Sequence, residues 1–112
     1  MNIIQNIDDF VTAINDNTKI LVIIDFSASW CGPCKKVQPL IEILAEKYSN
    51  VGFYKIDVDN ADISEITATC DVKVLPTFCY FMKGEYITKT TGANDTAVEN
   101  MILQINGMKN DE

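Results

Sequence analysis

Residues 20–37 read ILVIIDFSASWCGPCKKV, and this stretch decides how the rest of the chain is arranged. Its first part, Ile20 to Phe26, is apolar except for one charge, which predicts a strand buried on both faces of a sheet. An amphipathic helix is predicted to begin near Cys31, because apolar residues then recur every three or four positions. Cys31 and Cys34 therefore follow a buried strand directly, at the position where α/β proteins place functional groups.

The rest of the chain alternates short strands with helices. Apolar periodicity and turn residues predict a strand at residues 2–5, a helix at 7–14, a strand at 51–58, a helix at 63–70, strands at 76–82 and 85–91 joined at Lys83-Gly84, and a helix that begins at Asn94 and ends at Gly107. The order β-α-β-α-β-α-β-β-α predicts an α/β domain, with a central mixed sheet of five strands flanked by four helices. We expect this domain to span residues 1–107 and residues 108–112 to form a short polar tail.

The composition excludes several classes of function. The chain has 112 residues, which favours a single domain, and 16 acidic against 9 basic residues give a net charge of −7. It contains no arginine and no histidine, so a basic nucleic-acid surface, a histidine base and a histidine-ligated metal are not expected. No apolar run is long enough to cross a membrane, and the first residues do not resemble a signal peptide. We expect a cytoplasmic protein whose cysteines are mostly thiols.

The spacing of Cys31 and Cys34 suits thiol–disulfide chemistry. Two cysteines three positions apart in the first turn of a helix can bring their sulfurs to bonding distance. The first cysteine meets unpaired backbone N–H groups and the positive end of the helix dipole, which favour its thiolate. We therefore expect Cys31 to be the nucleophile and Cys34 the resolving thiol. Gly32 leaves room for a partner to approach, and Pro33 stiffens the turn.

A zinc site is the alternative interpretation of the same cysteine spacing. Cys70 and Cys79 would have to supply the other ligands, but they do not form a second pair of this spacing. Cys70 lies on an apolar helical face and Cys79 lies within a strand, so we expect both to pack in the core. We expect no metal ion and no bound cofactor.

Asp25 is the one charge within the predicted buried strand. Burial raises the pKa of a carboxyl group, so a carboxyl directly before a cysteine pair is a candidate for proton transfer. We expect Asp25 to lie behind the pair and to take a proton from Cys34, directly or through a water molecule. Lys55, on the neighbouring predicted strand, is the expected partner of Asp25. The alternative is that Asp25 and Lys55 form only a structural ion pair.

Pro76 opens a predicted strand within the segment 74–77. A proline is tolerated at the first residue of a strand, and most X–Pro bonds are trans. The residues by themselves therefore predict a trans Leu75–Pro76 bond.

The cysteine motif belongs to a set of segments that occur in order along nearly the whole chain. They are Asp25-Phe26-Ser27-Ala28-Ser29-Trp30-Cys31-Gly32-Pro33-Cys34-Lys35, Pro39, Lys55-Ile56-Asp57-Val58-Asp59, Leu75-Pro76-Thr77, Lys83-Gly84 and Gly92-Ala93-Asn94. Together they resemble the thioredoxin family, which is a more specific match than two spaced cysteines. Residues 46–51 and 57–59 resemble its eukaryotic cytosolic members, and the many Asn and Ile residues suggest a protist or viral source.

The resemblance implies the thioredoxin fold and reverses the expectation for Pro76, because the matching proline of the family is cis and packs against the disulfide. It also implies that the backbone of Leu75 pairs with an extended client segment. The implied apolar docking surface consists of Trp30, Gly32, Pro33, Leu75, Pro76, Gly92 and Ala93.

The implied activity is that of a general protein-disulfide reductase. Thioredoxin reductase would reduce the chain with electrons from NADPH, and the clients would be of the ribonucleotide reductase, peroxiredoxin and methionine sulfoxide reductase types. Val74 stands where some animal relatives carry a cysteine, so a disulfide-linked dimer through that position is excluded and we expect a monomer.

Two other functions remain as alternatives. A disulfide oxidase or isomerase uses related chemistry, but the Gly32-Pro33 dipeptide goes with reductants in this superfamily. A non-enzymatic subunit could bind a partner through the same apolar surface, and such a role would survive replacement of both Cys31 and Cys34. A glutaredoxin-type function is less favoured, because the Trp30–Cys34 motif is not the usual one there.

Overall fold

The computed structural model describes residues 1–110 and contains the helices and strands in the predicted order. Their bounds are β1 (Asn2–Ile3), α1 (Ile7–Ile14), β2 (Leu21–Ser27), α2 (Gly32–Lys47), β3 (Val51–Asp57), a 3₁₀ turn (Ala61–Ile63), α3 (Ser64–Thr69), β4 (Thr77–Met82), β5 (Glu85–Thr91) and α4 (Asp95–Asn110).

The five strands form one mixed sheet, as predicted, and their order in it is β1-β3-β2-β4-β5. The pairs β1–β3 and β2–β3 are parallel, whereas β2–β4 and β4–β5 are antiparallel. Strand β2 therefore lies at the centre and has a partner on each side. All seven of its residues are buried, which explains why its sequence is almost entirely apolar.

Alternate residues of the central strands supply two separate cores, one on each face of the sheet. Leu21 and Ile23 of β2 face helices α2 and α4, where the core also contains Val37, Ile41, Leu44, Phe78, Tyr80, Val98, Ile102 and Ile105. Val22, Ile24 and Phe26 face α1 and α3, together with Ile4, Ala13, Ile56, Ile63, Ile66, Cys70, Cys79 and Phe81. By this alternation Asp25 belongs to the same face as α2.

The predicted turn between β4 and β5 and the predicted start of α4 are both confirmed, whereas the predicted end of α4 is not. Lys83 and Gly84 both have positive φ angles, 53° and 81°, and close the β4–β5 hairpin as predicted. Asn94 begins α4 as predicted, since its side-chain oxygen accepts a hydrogen bond from the Ala97 N–H at 3.0 Å.

The prediction that Gly107 ends α4 is wrong, because the helix continues to Asn110. A glycine inside a helix costs only about 1 kcal/mol relative to alanine, which does not by itself end a helix. The boundary expected between residues 107 and 108 stays a prediction, and residues 111–112 of the expected tail lie outside the described part of the chain. Among residues 1–110, no helix is long and apolar enough to span a membrane.

Two isoleucines of helix α2, one buried and one exposed, allow a test of the core that supports the cysteine pair. The Ile41 side chain is 0% exposed, whereas Ile43 of the same helix is 59% exposed. We expect Ile41→Ala to lower the free energy of unfolding by about 2–5 kcal/mol, because it leaves a cavity under the sheet. Ile43→Ala should change it by less than about 1 kcal/mol. Urea unfolding measures both, and equal losses would contradict this packing.

Candidate active site

Cys31 and Cys34 lie where β2 passes into α2. Cys31 is the N-cap residue of α2, and its Sγ accepts a hydrogen bond from the Cys34 N–H at 3.2 Å. The two cysteines form a disulfide with a Cα–Cα distance of 5.3 Å, within the usual range. Each is 5% exposed. The sequence prediction of a bonded pair across the first turn of a helix is therefore what the structure shows.

The Leu75–Pro76 segment lies against this disulfide. Leu75 is half-buried and packs on the small cluster of Ala28, Cys31 and Cys34. The Leu75–Pro76 peptide bond is cis. The trans bond expected from the residues by themselves is wrong, and the cis bond implied by the family resemblance is confirmed. Local sequence does not reveal the isomer, because tertiary packing selects it.

Gly92 and Ala93 form a further segment next to Pro76. The Gly92 N–H donates to the Pro76 carbonyl at 2.8 Å, and Gly92 has a φ of 90°, a conformation that suits glycine. Ala93 lines a groove of about 310 Å³ together with Gly32, Pro33, Lys36, Val37 and Leu40. The structure thus brings three distant segments of the predicted docking surface, residues 32–33, 75–76 and 92–93, next to one another.

Trp30 is the one tryptophan of the chain and directly precedes Cys31. It is 68% exposed. Its indole N–H donates a 2.7 Å hydrogen bond to the Oδ2 of Asp59, which fixes one edge of the ring. Sequence reasoning gave Asp59 no role. The one available signal was its position just after β3, at the same end of the sheet as Cys31.

Asp25 is 2% exposed, and its Oδ1 has no hydrogen-bond partner among the described residues. Loss of hydration on burial is the main influence on this carboxyl group. It raises the pKa of Asp25 to about 7, and the positive charge of Lys55 opposes that shift only in part. The predicted burial of Asp25 is confirmed, and a carboxyl group with this pKa can both accept and release a proton near neutral pH.

Lys55 lies beside Asp25 but does not neutralise it. The two residues are register partners on the parallel strands β2 and β3. Within residues 1–110, no ion pair within 4 Å joins them, so the structural ion pair considered from the sequence does not form. Lys55 is half-buried and lines a cavity of about 410 Å³ that Cys34 also lines.

The other two cysteines lie away from the disulfide. Cys70 and Cys79 are free thiols buried in the core on the α1 and α3 side of the sheet, as predicted. In the described part of the chain, no three His, Cys, Asp or Glu side chains come together as a set of metal ligands.

The site consists of a bonded cysteine pair at a helix N-terminus, a cis proline beside the pair and a buried acid behind it. This combination defines a class of thiol–disulfide oxidoreductases.

Comparison with known proteins identifies the family more specifically. Residues 2–104 match the thioredoxin family. A thioredoxin of sheep is 45% identical over 96 residues, covering 86% of this chain and 90% of the relative. A thioredoxin-like protein of Acanthamoeba polyphaga mimivirus is 45% identical over 101 residues, covering 90% and 74%.

Solved structures agree with these relatives. The structure of Plasmodium falciparum thioredoxin superposes with a TM-score of 0.84 at 35% identity, covering 93% of this chain and 98% of that one. Fasciola hepatica thioredoxin gives 0.85 at 35% identity and the same coverage. The chain belongs to the thioredoxin family. It is a protein-disulfide reductase with the thioredoxin fold, and Cys31 and Cys34 form its redox-active disulfide.

The buried acid leads to a prediction about stability. Between about pH 4 and pH 7, an unfolded chain has lost the Asp25 proton while the folded protein keeps it, so the free energy of unfolding falls as the pH rises. At pH 8, Asp25→Asn should therefore be more stable than the parent protein by about 2–4 kcal/mol, and the difference should vanish near pH 4.

Urea unfolding at several pH values measures this difference. Glu85→Gln, which removes an exposed charge at the start of β5, is the matched control and should stay within about 0.5 kcal/mol of the parent at each pH. An Asp25→Asn variant that is less stable than the parent at pH 8 would show that the carboxylate is stabilised in the fold.

Proposed function

We propose that Cys31 is the attacking thiol of this disulfide reductase and that Cys34 resolves the mixed disulfide. One observation carries the assignment, namely the hydrogen bond from the Cys34 N–H to Cys31 Sγ at the N-terminus of α2. In the reduced protein, the same N–H and the helix dipole favour a thiolate on Cys31. Cys34 lies one turn further into the helix, behind Cys31 as a client approaches.

The proposed reaction has two exchange steps. First, the Cys31 thiolate attacks one sulfur of a client disulfide; a bond from Cys31 to the client forms, and the second client sulfur leaves as a thiolate and takes up a proton. Then Cys34 loses its proton, and its sulfur attacks Cys31 Sγ. The first client sulfur leaves as a thiolate, so the client has gained two electrons and this chain holds the Cys31–Cys34 disulfide.

Asp25 is proposed as the group that accepts the Cys34 proton. It lies on the sheet face that α2 covers, and its pKa of about 7 lets it act as a base near neutral pH. The cavity that Cys34 shares with Lys55 offers room for a water molecule to carry the proton. Lys55 is proposed as a positioning residue, because its charge next to Asp25 favours the carboxylate form.

The proposed docking surface surrounds the disulfide and is mostly apolar. Its residues are those expected from the family resemblance, namely Trp30, Gly32, Pro33, Leu75, Pro76, Gly92 and Ala93. In the described part of the chain, the Leu75 N–H and C=O take part in no backbone hydrogen bond, which leaves them free to pair with an extended client segment. The groove lined by Gly32, Pro33 and Ala93 would accept side chains of that segment.

The partners are proposed from the family and from charge. Thioredoxin reductase, with NADPH, would return electrons to the disulfide, and the clients would include proteins of the ribonucleotide reductase, peroxiredoxin and methionine sulfoxide reductase types. We propose that the chain acts in the cytoplasm as a monomer and holds no cofactor of its own. A net charge of −7 disfavours nucleic acid and anionic membranes as partners.

Single cysteine substitutions distinguish the two proposed roles. Cys31→Ser should abolish DTT-driven reduction of insulin, because serine does not form the mixed disulfide. Cys34→Ser should lose turnover but retain the first step, and it should accumulate a covalent complex with a client that non-reducing gels detect. Glu85→Gln, at the far end of the sheet, should keep parent activity. Insulin reduction by Cys31→Ser would refute the assignment.

The proposed role of Asp25 predicts how the rate of mixed-disulfide resolution depends on pH. The rate at which the mixed disulfide resolves should rise with pH through about 7 in the parent protein, as Asp25 becomes able to accept a proton. Asp25→Asn should lower this rate about tenfold or more near pH 7 and remove that rise. Single-turnover release of reduced client measures it. If Asp25→Asn resolves at the parent rate from about pH 6 to pH 9, Asp25 is not the base.

The groove at Ala93 offers a test of docking. Ala93→Glu places a bulky charge in this mostly apolar groove and should raise the KM for insulin about tenfold, while kcat changes little, because the cysteines are untouched. A small disulfide that needs no groove, such as hydroxyethyl disulfide, should react at the parent rate. Equal losses with both substrates would mean that Ala93 acts on the chemistry and not on docking.

A further inference from the structure

The groove at Ala93 extends past the residues of the proposed docking surface. Besides Gly32, Pro33 and Ala93, it is lined by three further residues of α2, namely Lys36, Val37 and Leu40. From Gly32 to Leu40 the helix rises by about 12 Å, because each residue adds about 1.5 Å. An extended client segment advances by about 3.3 Å per residue, so the groove can contact about four client residues on one side of the reacting cysteine.

Leu40 supplies apolar surface at the end of this groove that lies further from Cys31 along the helix. Its side chain is 43% exposed, and it lines the groove together with Pro33 and Val37. Val37 is 3% exposed and belongs to the core, so the groove has a packed floor. An exposed leucine is ordinary by itself, but a leucine that continues an apolar groove can bury a large apolar side chain of a client.

Of the described residues that line the groove, Lys36 alone is charged. It follows Gly32 by about one helical turn and precedes Leu40 by about one turn, so the three share a face of α2. Lys36 is exposed, and in the described part of the chain it makes no ion pair within 4 Å. Lys47 of the same helix, by contrast, is paired with Glu99 at 2.7 Å. The Lys36 ammonium group is therefore available to a client carboxylate.

The spacing of these groove residues matches the repeat of an extended chain. Lys36 and Leu40 lie about 6 Å and about 12 Å along the helix from Gly32, the residue after Cys31. In an extended segment, side chains two positions apart point to the same side and are about 6.6 Å apart. A client residue two positions from the reacting cysteine would therefore reach Lys36, and one four positions away would reach Leu40. Since the whole chain has a net charge of −7, a client carboxylate is favoured only where a lysine faces it.

We propose that this groove makes the reductase selective for client disulfides with an acidic residue two positions from the reacting cysteine and a large apolar residue four positions from it. The client carboxylate pairs with Lys36, and the apolar side chain packs on Leu40. This selectivity rests on the proposed docking surface, to which it adds Lys36 and Leu40 as residues that determine specificity.

The test measures how fast the reduced full chain, freed of other reductants, reduces peptide disulfides in low-salt buffer. The first peptide is the symmetric disulfide of Leu-Gly-Glu-Gly-Cys-Gly-Glu-Gly-Leu, which presents the same pattern in either chain direction. Two comparison peptides carry Gln in place of Glu, or Ser in place of Leu. We expect the parent chain to reduce the first peptide about threefold faster than the Gln peptide and about tenfold faster than the Ser peptide. Acid quenching and chromatography give the second-order rate constants.

Each preference has a variant that should remove it and a matched control that should not. Lys36→Glu should reverse the preference for the Glu peptide, whereas Lys83→Glu, which changes the net charge equally at the far end of β4, should keep it. Leu40→Ser should remove the preference for the Leu peptide, whereas Ile43→Ser, at an exposed position of α2 outside the groove, should keep it. Because each preference compares two peptides on one protein, a change in the reactivity of Cys31 cancels.

The outcomes separate this selectivity from the activity itself. Equal rates for all three peptides in the parent chain would overturn the selectivity and leave the proposed roles of Cys31 and Cys34 standing. A preference for the Glu peptide that Lys36→Glu and Lys83→Glu change alike would also overturn it, since the preference would then come from net charge. Failure of the parent chain to reduce hydroxyethyl disulfide, which needs no groove, would instead refute the proposed function.

Discussion

The central strand β2 is buried along its whole length, and this constraint determines most of what the site can do. A strand with a partner on each side and a core on each face has no place for a solvated charge, yet β2 carries Asp25. Desolvation then holds the carboxyl group near its titration midpoint at neutral pH, because the nearby Lys55 forms no ion pair with it. The fold thus gives up some stability by holding this carboxyl group in the central strand.

The same strand also determines where the two cysteines lie. Strand β2 ends at Ser27, and four residues later the chain enters α2 with Cys31 as the N-cap, so the helix N-terminus and its free N–H groups lie at the strand end. Strand β4 pairs with β2 on the side opposite β3, and the segment just before β4 contains the cis Leu75–Pro76 bond. This segment packs against the disulfide. Cys31, Cys34 and Leu75 therefore meet because their elements are neighbours in one sheet.

The sequence predicts the features that depend on local patterns. The apolar run with one acid identified both β2 and the burial of Asp25, and the cysteine spacing identified the bonded pair at a helix N-terminus. Features that depend on tertiary contact were not predictable in this way. They include the cis state of Pro76 from the residues by themselves, the hydrogen bond from Trp30 to Asp59, and the continuation of α4 past Gly107.

One side-chain pair shows the same limit. Asp25 and Lys55 suggested an ion pair from the sequence, and the sheet register does place them side by side, but their charged groups do not meet. Strand patterns predict which residues are neighbours, whereas side-chain packing decides which atoms touch.

Proton transfer by Asp25 requires that its carboxyl group be held in the core with a pKa near neutral pH. The most direct measurement is a ¹³C NMR titration of the Asp25 side-chain carboxyl carbon in the folded, oxidised protein. We predict a titration midpoint of about pH 7. A midpoint near 3.8, the ordinary value for an aspartate, would contradict the account.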